Sequence, residues 1–313
     1  MAEYDPDAEL RRITSTVSET TLGAAATSAQ GTRVPLYPYR ARLPALLYWP
    51  YRGLRTLLTA TCFAGFWSGA VVAAWIVMPL VYLWPGTKAQ KRQRALGVMR
   101  TGFRVFHAVM HGLRLYHRVS PVKTLRPGTS PVVLVANHPT LCDVTSIVSL
   151  FPNVVAVARP SFAANRLIRR AVQLSGFVPT GHLVLREAEQ RLRMGFDVLV
   201  FPEGTRTRRD GTLQPFHRGA FELAFRANVP IVLLKLTCVP PALSKALPIW
   251  KVSDVMATLT IEPFDVIEPG QGPGDSRQLC QQIEQRYREL LEYPPPAETL
   301  SDPTAPRDQT AHR

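Results

Sequence analysis

The chain has 313 residues, 46% of them hydrophobic and 19% charged, enough apolar sequence to bury a sizeable core and too much for a wholly unfolded protein. Its 37 Lys and Arg against 23 Asp and Glu give a formal net charge of +14, which favours anionic partners: nucleic acid, anionic lipid headgroups or phosphorylated ligands. The cysteines, Cys62, Cys142, Cys238 and Cys280, are scattered with no CxxC pair, which argues against a zinc ribbon or a disulfide framework and for a reducing, cytoplasmic setting.

Residues 1–40 are polar, rich in Thr, Ser and Ala, and read as a disordered tail. Residues 41–118 read as membrane-associated helices. Within them, 57–84 carries no charged residue, a run long enough for a helix to cross a bilayer core of about 30 Å. It starts too far into the chain, and is too long, for a cleavable signal peptide. Pro79 is expected to kink it. Arg52 and Arg55 precede the run, and Lys88, Lys91, Arg92 and Arg94 follow it, so the flanking charge gives no orientation. A spanning helix and a monotopic hairpin both fit. The expectation is attachment to the cell membrane, with the folded part on the cytoplasmic side.

Next, Leu96, Met99, Phe103, Phe106, Met110 and Leu113 form one apolar stripe at helical spacing, with Arg92, Arg94, Arg100 and Arg104 among them. Such a helix suits the surface of an anionic leaflet. It equally suits packing on a neighbouring helix or on the domain that follows.

From residue 119 to 293 short apolar runs alternate with helical patterns. Residues 132–136, 154–158, 197–201 and 231–236 read as buried strands, and 256–261 as an edge or terminal strand. Helical patterns occupy 144–150, 165–175, 183–194 and 219–227. This alternation predicts an α/β fold with a largely parallel sheet flanked by helices. Ligands of such sheets sit beyond the carboxyl ends of the strands. Residues 294–313, with three consecutive prolines and polar residues, read as a second disordered tail.

Two motifs follow strands. Asn137-His138-Pro139-Thr140-Leu141-Cys142-Asp143 comes after the first. His138 and Asp143 are five positions apart and would not share a face of a regular helix. If His138 lies in the strand-to-helix turn and Pro139 opens the helix, Asp143 can reach back to one imidazole nitrogen. That is the base and its orienting carboxylate, without a protein nucleophile, so the attacking oxygen would come from a substrate. The second motif, Phe201-Pro202-Glu203-Gly204-Thr205-Arg206, ends another strand. Gly204 would let the backbone approach a ligand, Arg206 offers a planar fork for phosphate, and Glu203 could fix that Arg or bond a hydroxyl.

Together the two motifs resemble the signatures NHxxxxD and FPEGTR of the glycerolipid acyltransferase family, whose type members are the 1-acylglycerol-3-phosphate (lysophospholipid) O-acyltransferases. The resemblance covers about residues 132–236. It implies that His138 is the general base on an acceptor hydroxyl and Asp143 its orienter. It further implies that Glu203, Gly204, Thr205 and Arg206 hold the acceptor, that Arg159 stands where the family carries a Lys, and that Pro230 shapes the pocket. The expected donor is acyl-CoA or an acyl-carrier-protein, the expected partners are membrane lipids, and no metal, cofactor or nucleic acid is called for. Backbone N–H groups near His138, or Arg159, are the candidate donors to the oxyanion. Pro179-Thr180-Gly181-His182 stands where the family's second block ends in Arg. That departure is shared in kind with relatives that acylate other acceptors, such as lyso-ornithine lipid or aryl-polyene intermediates.

Other signals carry less. His107 and His111 have metal-pair spacing but no nearby carboxylate or Cys, and read as interfacial histidines. Cys142, beside His138, reads as a small buried side chain rather than a nucleophile. The alternative of another class is a non-catalytic, membrane-anchored anion-binding protein.

Overall fold

A computed structural model describes residues 44–122, 131–208, 212–245, 247 and 252–291; both expected tails lie outside them. The apolar run forms a long helix, α1 (Ala45–Val72), that continues through one π-helical turn (Ala73–Val77) into α2 (Met78–Leu83). The widened turn lies just ahead of Pro79, where a regular helix would drive the pyrrolidine ring against the carbonyl four residues back. The stretch from Leu46 to Leu83, 38 residues, is long and apolar enough to cross a membrane; its most apolar window has a mean hydropathy of 1.8, and only 11% of that window is buried. Arg52 and Arg55 are spent on the protein itself. Arg55 is buried and donates to the carbonyls of Ser253, Arg114 and Val255 at 2.8, 3.1 and 3.2 Å, while Arg52 lies 3.6 Å from the Asp254 carboxylate.

Helix α3 (Lys88–Gly112) starts at a reciprocal capping box between Thr87 and Gln90. Its stripe turns inward: Leu96, Phe106 and Met110 are buried, and Phe106 packs on Phe63 and Phe66 of α1 at ring separations of 5.5 and 4.8 Å. Of the two partners open to this stripe, protein takes most of it; Leu113 stays partly exposed.

Among the described residues seven strands follow: β1 (Tyr116–Val119), β2 (Val133–Ala136), β3 (Val154–Ala158), β4 (Val178–Pro179), β5 (Asp197–Val200), β6 (Ile231–Val239) and β7 (Ala257–Ile267). They order as β1-β7-β6-β2-β5-β3-β4. Every pair is parallel except β6 with β7. The 256–261 segment is therefore not at the edge. It is covered by β1, whose Tyr116 pairs with Ala257, and it runs on to Ile267 past an irregularity near Leu233 and Leu234. Helices α4 (Asp143–Leu150), α5 (Pro160–Ala164), α6 (Arg169–Ser175), α7 (Val184–Arg193) and α8 (Gly219–Ala227) connect the strands, and α9 (Ser276–Leu290) closes the described chain. Tyr287 of α9 is buried with its hydroxyl 2.9 Å from the carbonyls of both Val135 and Leu234, locking the last helix to the central strands.

His107 is not interfacial. It is buried between α3 and α4, with Nε2 3.0 Å from Thr145 Oγ1. Thr145 gives its own proton to the Cys142 carbonyl at 2.8 Å, so His107 Nε2 is the donor, and Nδ1 is buried without a partner. Burial, then the charges of Arg118 and His117, lower its pKa to about 3. The unfolded chain takes up this proton below its ordinary value near 6.5, whereas the fold refuses it until about pH 3. Stability from this group is thus fully present above pH 6.5 and lost as pH falls towards 3. Between pH 7 and 4 the expected loss is on the order of 3 kcal/mol. The apparent melting temperature of His107→Phe should fall less over that range than that of wild type.

Candidate active site

Asn137 extends the β2–β6 pairing beyond Ala136 through its side chain. The amide donates to the Leu236 carbonyl and accepts from the Leu236 N–H, both at 2.8 Å. This buried bridge fixes where the chain leaves the sheet, and His138 follows at the carboxyl end of the central strand. The helix does not open at Pro139. It begins at Asp143, because the Asp143 carboxylate and Thr140 hold residues 138–142 in a turn of their own. Asp143 Oδ2 accepts the Thr140 N–H at 2.8 Å, Oδ1 accepts the Thr140 hydroxyl, and Thr140 Oγ1 accepts the Cys142 N–H at 3.2 Å.

Asp143 Oδ2 also lies 2.7 Å from His138 Nδ1, so the expected contact forms by this different route. The carboxylate side chain is fully buried, and 14% of the imidazole is exposed. Because the carboxylate accepts, Nδ1 carries a hydrogen, and in the neutral ring it is Nε2 that keeps the lone pair. The ring stacks on Phe201, with centroids 4.2 Å apart and planes 24° from parallel.

The second motif is locked to the first by Glu203. Its Oε1 accepts the His138 N–H at 2.9 Å and the Thr207 hydroxyl at 3.1 Å, and Oε2 accepts the Gln214 N–H at 3.0 Å. The Thr207 N–H returns to the His138 carbonyl at 2.9 Å. Glu203 is 2% exposed. Burial raises its pKa, opposed by the bonds from Gln214, His138 and Thr207. Sequence reasoning offered Glu203 to Arg206 or to a hydroxyl; the structure sets it as a clamp between turns. Gly204 has φ of +64°, and a Cβ there would stand 3.1 Å from the His217 ring, so its freedom serves the approach of His217.

Arg206 donates to the Leu243 carbonyl at 3.1 Å, and that carbonyl also takes the Leu141 N–H at 2.9 Å. Arg159, following β3, donates to Thr205 Oγ1 at 2.7 Å. Burial, then the nearby Arg159 charge, lower the Arg206 pKa. Two guanidiniums therefore stand close enough to repel beside the His138–Asp143 pair, an arrangement that favours an anion between them.

Pro230 is elsewhere. It precedes β6, its carbonyl accepts the Val133 N–H at 2.9 Å, and β2 and β6 run parallel from Val133 and Ile231. Parallel strands put residues before them and residues after them at opposite edges of the sheet. At about 3.3 Å per residue, His138 is roughly 15 Å further along. Pro230 therefore shapes the start of a strand, not this site.

The backbone donors expected near His138 are also engaged. The N–H groups of residues 138, 140, 141 and 142 go to Glu203, Asp143, Leu243 and Thr140, and Pro139 has none. Cys142 is buried and its thiol pKa is pushed up, chiefly by desolvation and then by Asp143, which leaves it inert as a nucleophile. Among the described residues no group of three or more His, Cys, Asp or Glu could hold a metal. His111 packs against His117 with ring centroids 4.3 Å apart and planes tilted by 41°, instead of pairing with His107.

Residues 116–235, from β1 to β6 and including both motifs, match the family model described as Acyltransferase. This segment is an acyltransferase domain similar to that of the glycerolipid O-acyltransferases. Similar proteins include a chloroplastic 1-acyl-sn-glycerol-3-phosphate acyltransferase of Brassica napus, 29% identical over 125 residues that make up 38% of this chain and 36% of that one. The alpha form from Mus musculus is 36% identical over 115 residues, 34% of this chain and 40% of that one. The match thus spans well under two thirds of either relative. In fold, the chain is similar to the crystal structure of the 1-acyl-sn-glycerophosphate acyltransferase PlsC from Thermotoga maritima, with a TM-score of 0.60 and 19% identity over 78% of this chain and 99% of that one.

Proposed function

We propose that this protein moves a fatty acyl group from a thioester, acyl-CoA or an acyl-carrier-protein, to the free hydroxyl of a lysophospholipid of the 1-acylglycerol-3-phosphate type. The observation that carries this reading is the His138–Asp143 pair, bonded through Nδ1 and so directing Nε2 away from the carboxylate, beside the guanidiniums of Arg159 and Arg206. His138 Nε2 removes the acceptor proton as the acceptor oxygen attacks the thioester carbon. Arg159 supplies charge to the tetrahedral oxyanion, because the backbone N–H groups of the His138 turn are already used. The C–S bond then breaks, and the leaving thiolate recovers the proton from the imidazolium. Arg206 holds the acceptor phosphate. Residues 119–293 form the catalytic domain, and the helices before it keep the site at the cytoplasmic face of the cell membrane.

The test is thiol release by the purified protein with lysophosphatidic acid and either donor. Product appears with at least one donor if the reading is right; no transfer with either overturns it. Arg206→Ala should raise the KM for lysophosphatidic acid about tenfold or more, the worth of a charge-assisted contact, with a smaller change in kcat.

One observation favours a second acceptor class. Thr180, within the Pro179–His182 segment that stands where the family's second block ends in Arg, turns its N–H and its hydroxyl onto the Ala158 carbonyl, each at 2.9 Å, and brings no positive charge. A lipid or metabolite with another headgroup would meet one cation fewer here. Mass spectrometry of lipids from cells with and without the active protein separates the two acceptors.

A further inference from the structure

The apolar helix and the site meet through one short segment. Arg159 is both the residue that reaches Thr205 and the residue from which α5 starts, with the Phe162 N–H returning to its carbonyl at 3.1 Å. Its guanidinium is exposed on a long stem, so its position depends on the backbone beneath it. That backbone has little of its own to hold it: α5 is five residues long, far below what is stable alone.

What holds it is α1 and its continuation. Phe162, 37% exposed, stacks on Trp67, 42% exposed, with centroids 6.3 Å apart and planes 19° from parallel. The Trp75 indole N–H donates to the Leu167 carbonyl at 2.9 Å, and the Arg170 guanidinium lies 4.2 Å from the centre of the Trp75 ring. Between these pins, Asn165 braces the turn by accepting the Leu167 N–H at 2.9 Å and donating its own N–H to Ser161 at 3.0 Å. Residues 160–170 are thus a strap, fixed to the apolar helix on one side and ending in Arg159 on the other.

We propose that the Trp67–Phe162 and Trp75–Leu167 seam is a positioning device that sets Arg159 against Thr205 according to how the apolar helix is seated. A lipid surface that settles Trp67 and Trp75 thereby settles the guanidinium that faces the reacting carbonyl. The proposal rests on the functional reading above, in which Arg159 acts on the transition state; Trp67 and Phe162 touch no substrate and act only through it.

The experiment uses the full chain in phospholipid vesicles, with Phe162→Ala, Trp67→Ala, the double variant and the conservative Phe162→Tyr. Each single Ala variant is expected to speed amide exchange of residues 160–168 about two- to tenfold, the worth of one aromatic pair, with no change in melting temperature. It should lower kcat by a similar factor while the KM for lysophosphatidic acid stays within about twofold. The double variant should be no worse than either single one, and Phe162→Tyr should restore wild-type values. Unchanged exchange, additive losses, or an effect on KM alone overturns the strap. Wild-type protein that acylates no acceptor overturns the functional reading instead, and the exchange rates still decide whether the seam holds the segment.

Discussion

Replacing His138 by Ala is expected to lower kcat by roughly 10²–10⁴-fold, the range of a positioned general base, while the protein stays folded and its KM changes little. The fold should survive because the bonds that shape the turn do not use the ring. The His138 N–H and carbonyl hold Glu203 and Thr207, and the Asp143 carboxylate keeps its bonds from Thr140. The ring contributes only its bond to Asp143 and its stack on Phe201. Initial rates with saturating thioester and acceptor check the prediction, alongside melting curves. A variant as active as wild type would remove the imidazole from the chemistry.

Glu203→Ala should act in the opposite way, through stability first. Removing the carboxylate strands three donors, the His138 and Gln214 N–H groups and the Thr207 hydroxyl, in a site that is nearly closed to water. Each buried donor left without a partner costs about 1–3 kcal/mol, and the three share one cavity and do not add fully. A loss on the order of 3–5 kcal/mol is expected by thermal or chemical unfolding. Glu203→Gln keeps one acceptor oxygen but turns an NH₂ towards a donor, so it should recover only part of the loss. If Glu203→Ala proves as stable as wild type, the clamp is misassigned and its carboxylate is available to substrate.

The parts of the fold that were legible in the sequence are those where one physical signal dominates. Strands β2 and β3, β5 after its first residue Asp197, and the start of β6 are uninterrupted apolar runs, as strands buried on both faces must be, and the sequence boundaries fall within a residue of the observed ones. β1 was not visible because Tyr116-His117-Arg118-Val119 is short and half polar, and becomes a strand only when Ala257 and its neighbours arrive to pair with it. β4 is two residues long, and the helix read at 165–175 starts only at Arg169, after a turn that separates it from the unforeseen short helix α5. The reach of β7 to Ile267 was hidden by Pro263, which is tolerated opposite Leu234 because the register shifts there.

Within the site, His138 and Asp143 were readable because both lie in one motif and meet locally. The job of Glu203 was not, since its donors come from residues 138, 207 and 214, and nothing in their sequence marks them as neighbours. Asn137 carried a signal, as the first letter of its motif, but not the bridge to Leu236. Pro230 shows the converse error: a conspicuous proline beside a strand says nothing about which edge of the sheet it occupies.

The pairing of Tyr116 with Ala257 has a consequence for the nascent chain. During synthesis the exposed helix 45–83 leaves the ribosome long before the strand that closes the sheet has been made, and long-range pairings of this kind form slowly. Throughout that interval β1 has no strand to pair with. The helix keeps most of its apolar surface uncovered even in the finished fold, so until the carboxyl-terminal strand arrives the growing chain carries two sticky surfaces, that helix and an unpaired sheet edge.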